Sequence, residues 1–464
     1  MLTAAGCVVV FAIMALLMAT NRLSALLALP IMAIAIALVA RVPLPDICHG
    51  VIQNGSTMLA GAIITTMVGA VLAQVMSRFG IGDRLIRWAA EFSGDNPLVL
   101  GLVMLLVTAA LFSTMGGLGA VIMVGSIVLP VLASVGMSAP TAAGVMLLGL
   151  SLGGLFNLAN WTLYIEVLKV PREQIASFAS VFGVAFALIA IAFLFWEADA
   201  RQRIGALPVV GALAALAGGG MALLHVLPPL SQAGTHWLHL GGAVAIGLGL
   251  LAAAVHRQLK PSSDVPAYAL LAPLVPLVLV LGFNVDIIPA FVVGIVFALA
   301  ATWRRGHLNA FTQAVFDGIS AVVPVLVLMM GIGMVIAAMT DDAVKQALAP
   351  YLSALVPHQP AGYVIAFAAL APLALYRGPL NTFGLGSGLA GLLLSTGLLP
   401  GAAIAGMLLS VGQVQGVCDP TNTQNIWVAN FSGTTTTRLL FKLLPWAWGA
   451  AVVGLGISAA RYLP

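Results

Sequence analysis

Charge is what this chain has least of. Only 7% of its 464 residues are Asp, Glu, Lys or Arg, so there is too little polar surface to cover a water-soluble globule of this size. Cysteine is nearly absent too: Cys7, Cys48 and Cys418 are too few and too scattered for a disulfide framework or a thiolate metal site. The seven histidines show no metal-ligand spacing, and no Gly-rich phosphate loop or soluble nucleotide-hydrolysing domain is present. No basic cluster is interleaved with aromatics, which excludes nucleic acid as a partner. The first apolar run lacks a basic flank and a small-residue cleavage site, so it is expected to be a retained helix.

What fills the chain instead is apolar length. Hydrophobic residues make up 61% of it, in repeated runs of ~18 to 22, enough to cross ~30 Å of hydrocarbon as helix. Lipid leaves a backbone only helices or closed barrels, and solid runs exclude a barrel. The expected fold class is an all-α polytopic membrane protein.

The two ends of the chain resemble each other at a shift of about 263 residues. Asn21 corresponds to Asn284, and Asn54-Gly55 to Asp317-Gly318. Ala110-Leu111-Phe112 before Ser113-Thr114 corresponds to Ala374-Leu375-Tyr376 before Arg377-Gly378. The pattern predicts two inverted repeats of five transmembrane helices, residues 1–197 and 264–464, joined by a central two-helix insert at 198–263. Each repeat is expected to hold a re-entrant hairpin, about 97–134 and 361–396, and a broken helix, about 139–165 and 399–430.

Loop charge orients this arrangement. Twelve Lys and Arg residues, among them Arg78, Arg84, Arg87, Arg304 and Arg438, collect on one side. Only Arg41, Lys169, Arg172, Lys345 and Arg461 collect on the other. The bias places the first side in the cytoplasm and both termini outside it, in a cell inner membrane. Residues 80–93 have the pattern of an amphipathic interfacial helix with Trp88 as anchor. Asp317, at the start of an apolar run, is expected to favour a helix N-terminus there.

Polar tips and breaks within the apolar runs are tolerable only where they are buried in protein or line a cavity. Ser113, Thr114 and Gly116 form one tip, and Arg377, Asn381 and Thr382 the other. Asn157 and Asn160 mark one break, and Asp419, Thr421 and Asn422 the other. These neutral hydroxyls and amides suit the oxygens of a small organic anion. Arg377 costs at least ~3 kcal/mol at bilayer depth, and its planar fork fits a carboxylate; the other reading is a structural partner for Asp419. Asp419 is the candidate ion-coupling group, or a permanently ionised residue in that pair.

At these residues the chain resembles the gluconate:proton symporter group and its citrate- and other organic-acid-permease relatives in the ion transporter superfamily. The resemblance covers nearly the whole chain. It implies substrate bound between the tips, elevator-like movement of a hairpin domain, and a homodimer. Dicarboxylate/sodium symporters of that superfamily carry Ser-Asn-Thr at both tips, whereas Ser113-Thr114-Met115 and Leu380-Asn381-Thr382 stand here. The expected function is therefore uptake of a small organic anion coupled to protons, without a bound cofactor. Sodium coupling is the first alternative, and an exporter or cation/proton antiporter the second. An intramembrane enzyme is disfavoured because Ser113 has no His or Lys base at comparable depth.

Overall fold

The computed structural model describes residues 2–20, 22–94, 96–208, 265–304, 307–357 and 359–464, with residues 211, 249, 252 and 255. The two runs expected within the central insert, 205–226 and 236–256, lie almost wholly outside the described residues. Throughout the rest the chain is helical, and among the described residues there is no strand. This is an all-α polytopic membrane protein.

Six helices among the described residues are long and apolar enough to cross a bilayer: Leu44–Arg78, Gly117–Ser134, Arg172–Glu197, His307–Thr340, Gly401–Ser432 and Thr436–Tyr462. The count rises to eight if each of two bent pairs is one span: Ala139–Leu155 with Leu158–Leu168, bent by 49°, and Asp342–Leu355 with Pro360–Tyr376, bent by 103°. Shorter apolar helices include Ala25–Val39, Pro97–Phe112, Ile287–Ala301 and Gly386–Thr396.

Two expectations about helix limits change. The apolar run at 265–282, expected as a single helix at the start of the second repeat, is not one helix: a 3-10 turn, Ala267–Leu271, precedes the short Val275–Gly282. Pro266, Pro273 and Pro276 each lack the N–H that a continuous ladder needs. Asp317 does not begin a helix either, because His307–Thr340 starts three turns earlier, so the dipole explanation fails. Its carboxylate pairs with the Arg78 guanidinium, which also donates to Gln313 Oε1.

The chain divides into two compact units, neither contiguous in sequence. One comprises residues 1–67, 154–189 and 319–464, the other 68–153 and 190–318. In the first, Gly401–Cys418 and Thr436–Tyr462 pack through small residues. A Cβ on Gly406 would stand 2.7 Å from Ser458 Cβ, and one on Gly454 would meet the Ser410 hydroxyl and come within 2.8 Å of Phe182. Two Gly-x-x-x-Ser patterns thus face each other in opposite directions, the close approach that replaces hydrophobic driving force between helices in lipid. Tyr363, fully buried, donates to the Ala403 carbonyl at 2.8 Å and lies 3.1 Å from Ser458 Oγ, fastening a third helix to this pair.

Also in this unit, Gly55 lies against Gly333 and Met334, and Thr66 Oγ1 contacts Met329 Sδ at 4.0 Å. The partner number falls as the residue number rises, so these stretches run antiparallel. In the second unit Gly318 lies against Ala70 and Val71. At the sequence shift of 263 residues, Gly55 maps onto Gly318 and Ala70 onto Gly333, while Thr66 maps onto its own partner, Met329.

The second unit also carries Pro97–Phe112, begun by Asn96, whose side chain accepts from the N–H groups of Leu98 and Val99, with Pro97 at the first helical position. Ile81–Ser93 packs on it with Ile86 and Ala89 buried, leaving Arg84, Arg87, Trp88, Glu91 and Phe92 on an exposed face.

Replacing Gly454 by Leu should overpack the Ser410 and Phe182 contacts and cost about 1–3 kcal/mol, typical of an overfilled core. A fall in the thermal unfolding midpoint of the purified protein in detergent would register it. Substitution at Gly456, two residues on and half-buried but with nothing within 4 Å of a Cβ there, should change that midpoint little.

Candidate functional site

Both broken spans break near their middles. Ala139–Leu155 hands over to Leu158–Leu168 at Phe156 and Asn157, and Gly401–Cys418 to Thr423–Ser432 at residues 419–422. In a bilayer such a break strands carbonyls at the end of one half-helix and N–H groups at the start of the next. The sequence supplies partners for both within a few residues.

At the first break Asn157 is the cap. Its Oδ1 accepts from the N–H groups of Ala159 at 3.1 Å and Asn160 at 3.2 Å. The second half then reaches back: Trp161 Nε1 donates to the Leu155 carbonyl at 2.7 Å, and Asn160 Nδ2 to that of Gly154 at 3.3 Å. Trp161 is fully buried, so this bond fixes the 49° bend.

The second break is built alike from other residues. Asp419, 1% exposed, accepts through Oδ1 from the Thr421 N–H at 2.9 Å and the Thr421 hydroxyl at 2.7 Å, a carboxylate-closed turn. Asn425 Nδ2 donates to the Asp419 carbonyl at 3.0 Å, and Gln424 Nε2 to that of Gly416 at 3.3 Å. Asn425 Oδ1, buried, has no hydrogen-bond partner among the described residues. Asn422 occupies the cap position of Thr423–Ser432 but makes no side-chain cap bond, so its half-buried amide is not spent on the helix.

The second tip lies in the same unit. Ala371–Arg377 ends in a kink, with Tyr376 in the left-handed region at φ 56°. Asn381, 3% exposed, closes the turn that follows. Its Nδ2 donates to the Ala374 carbonyl and its Oδ1 accepts from the Phe383 N–H at 2.9 Å. Thr382 is equally buried; its carbonyl accepts from the Ser387 hydroxyl, and its side chain faces the hydroxyl of Tyr164. That contact joins the second tip to the first broken span, and Leu158–Leu168 packs against both Gly386–Thr396 and Gly401–Cys418. The side chain of Arg377 lies outside the described residues.

Seven of the expected residues thus gather in one unit: Asn157, Asn160, Asn381, Thr382, Asp419, Thr421 and Asn422. Ser113, Thr114 and Gly116 belong to the other. There the Ser113 hydroxyl donates to the Ala110 carbonyl at 2.7 Å and the Thr114 hydroxyl to that of Pro273 at 2.9 Å. Gly116 is exposed and extended at the start of Gly117–Ser134.

The sequence reading missed Tyr164, Glu166, Gln424 and Asn425. For Glu166 the signal was there: a carboxylate within an apolar helical stretch, open to the same argument that singled out Arg377.

No protein-family profile matches the chain, and no curated protein does. Solved structures do. The YdaH transporter of Alcanivorax borkumensis, described as having an unusual topology, aligns over 91% of this chain and 88% of its own, with TM-score 0.52 and 14% identity. MtrF of Neisseria gonorrhoeae, described as illuminating a class of antimetabolite efflux pumps, aligns over 90% and 84%, with TM-score 0.54 and 13% identity. The chain therefore has the fold of these transporters. This corrects the resemblance to gluconate and citrate permeases, for neither neighbour is one.

Asp419→Ala should remove both bonds that its carboxylate makes at the second break and cost about 1–2 kcal/mol, as for a lost helix cap. Asp419→Asn, which keeps an acceptor, should lose clearly less. Thermal unfolding of both variants in detergent would separate them.

Proposed function

We propose that this protein is a secondary active transporter that moves a small organic anion across the cell membrane, coupled to protons. The observation that carries this reading is the position of the two breaks. Each falls near the centre of a bilayer-length span and turns a half-helix N-terminus, at Asn157 or Asn422, toward protein at membrane depth. Transporters of broken-helix design place substrate at such termini, where the positive dipole ends favour an anionic group.

Asn157, Asn160, Asn381, Thr382, Thr421 and Asn422 offer the amide and hydroxyl groups for substrate oxygens, whereas Ser113, Thr114 and Gly116 belong to the other unit. Arg377 is assigned to the carboxylate on the strength of its chemistry and its place in the sequence. The contacts related by the shift of 263 residues support reading the chain as a duplication; its inversion, the two re-entrant hairpins and termini outside the cytoplasm are part of the same proposal and rest on the apolar runs and loop charge. A homodimer in the inner membrane completes the proposal.

Export is the second reading, favoured by the likeness to a structure described as an efflux pump. The chemistry of the site is the same in either direction, and vesicle orientation and gradient sign decide between them.

A thermal-shift screen of hydroxy acids, dicarboxylates, neutral polyols and amines on the purified protein tests the anion assignment. One class of carboxylates should raise the unfolding midpoint, and Arg377→Ala should abolish that rise. Equal stabilisation by neutral compounds or amines would refute it. In proteoliposomes the stabilising acid should accumulate under a proton gradient in sodium-free buffer; accumulation that requires sodium would replace the proton with sodium.

A further inference from the structure

Outside the two breaks, one span is interrupted for a reason that lies elsewhere in the chain. Leu44–Arg78 loses its ladder at Met58 and Leu59, and regular bonding resumes with Ile63 N–H to Leu59 O at 2.9 Å. The amides of Gly61 and Ala62 thus begin a new helical segment without carbonyls of their own. Glu166, in Leu158–Leu168, meets them: Ala62 N–H donates to its Oε2 at 3.0 Å, and the Gly61 amide faces the same carboxylate. Position 61 has no room for a side chain, since a Cβ there would run into Glu166 Oε1. One turn earlier Thr162 Oγ1 lies 3.4 Å from Thr65 Oγ1, a second tie between the same helices.

Among the described residues, few other charges face this carboxylate. Lys169, three residues on, lies near it on its own helix. Gly386–Thr396 carries no titratable group, and Gly401–Cys418 carries only Cys418. On Leu44–Arg78, Asp46, Cys48 and His49 lie toward one end and Arg78 at the other.

Asp46, His49, Gln53 and Thr57 recur every three or four residues up to Gly61, all exposed, with His49 Nδ1 3.1 Å from Gln53 Oε1. A polar stripe on a spanning helix is costly against lipid, so it faces water or protein. It starts at the end of the span opposite Arg78, away from the basic cytoplasmic side.

We propose that Glu166 is the binding site of the coupling proton, reached along this stripe from the non-cytoplasmic side. Ionised, the carboxylate accepts both amides and holds the joint at Met58 and Leu59. A proton bound at one oxygen turns that oxygen into a hydroxyl donor and removes the charge, so the grip on Gly61 and Ala62 weakens and the joint is released. Loss of the proton to the other side restores both bonds. The proposal rests on the transport reading, but its test needs no substrate.

The test is hydrogen exchange by mass spectrometry on the purified protein at pH 8 and pH 5.5, corrected for intrinsic exchange rates, with infrared difference spectra over the same range. Protection of residues 60–63 should fall roughly tenfold on acidification, as expected when bonds to a charged acceptor weaken. A protonated-carboxyl band should appear with it. In Glu166→Gln the band should be missing and exchange at 60–63 should be fast at both pH values. Glu166→Asp should keep the band and pH dependence. Unchanged wild-type protection across the range, or a band that survives in Glu166→Gln, would overturn the proposal. Both readouts are independent of the substrate screen, so failure there would strike the transport reading alone.

Discussion

The rest of the structure depends on one constraint: a backbone that leaves its helical ladder inside hydrocarbon must find new partners within the protein. An unsatisfied amide or carbonyl there costs several kcal/mol, so every break needs side chains to close it. The chain does this in two ways. At Asn157 and Asp419 the closing groups come from within a few residues, so each break is a self-contained unit whose geometry survives movement of its surroundings. At Gly61 and Ala62 the closing group comes from 104 residues away. That joint exists only while two helices stay packed.

Much of this was legible in the sequence, for reasons that can be named. The breaks at 157 and 419 announce themselves, because Gly, Pro, Asn and Asp cluster there against an Ala/Leu background and each residue weakens a helix locally. The apolar runs translate into spans because lipid admits little else. Hydropathy alone misplaced helix limits where polar residues continue a helix beyond the membrane: Asn309, Thr312 and Gln313 hide three turns of His307–Thr340, and so hid the pairing of Asp317 with Arg78. Hydropathy also overrode three prolines at 266–276 that forbid the helix it suggested.

The break at Met58 and Leu59 is only weakly signalled locally. Neither residue disfavours helix, although Asn54-Gly55-Ser56-Thr57 before them and Gly61 after them are weak helix formers. Its cause is tertiary: a carboxylate from another span supplies the acceptor that a carbonyl one turn earlier would have supplied. Sequence patterns report what a segment can do by itself, and this joint is not a property of one segment. Arg377 shows the reverse case, a residue that composition singles out and whose partners no local pattern names.

Under the proposed proton coupling, this difference bears on which carboxylate would carry the proton. Asp419 was the obvious candidate because it is the acid at a break. Its Oδ1, however, is spent on the N–H and hydroxyl of Thr421, two residues away, and its carbonyl is held by Asn425. Changing its charge would disturb a turn that lies within one span, between its two half-helices. Glu166 has the opposite wiring: its charge is felt by the amides of a different span, so protonation alters how two elements are joined. Coupling requires a bound proton to bias a structural element with two arrangements, and only a carboxylate that bridges elements can do so directly. By that criterion connectivity favours Glu166 over Asp419 for the proposed coupling role.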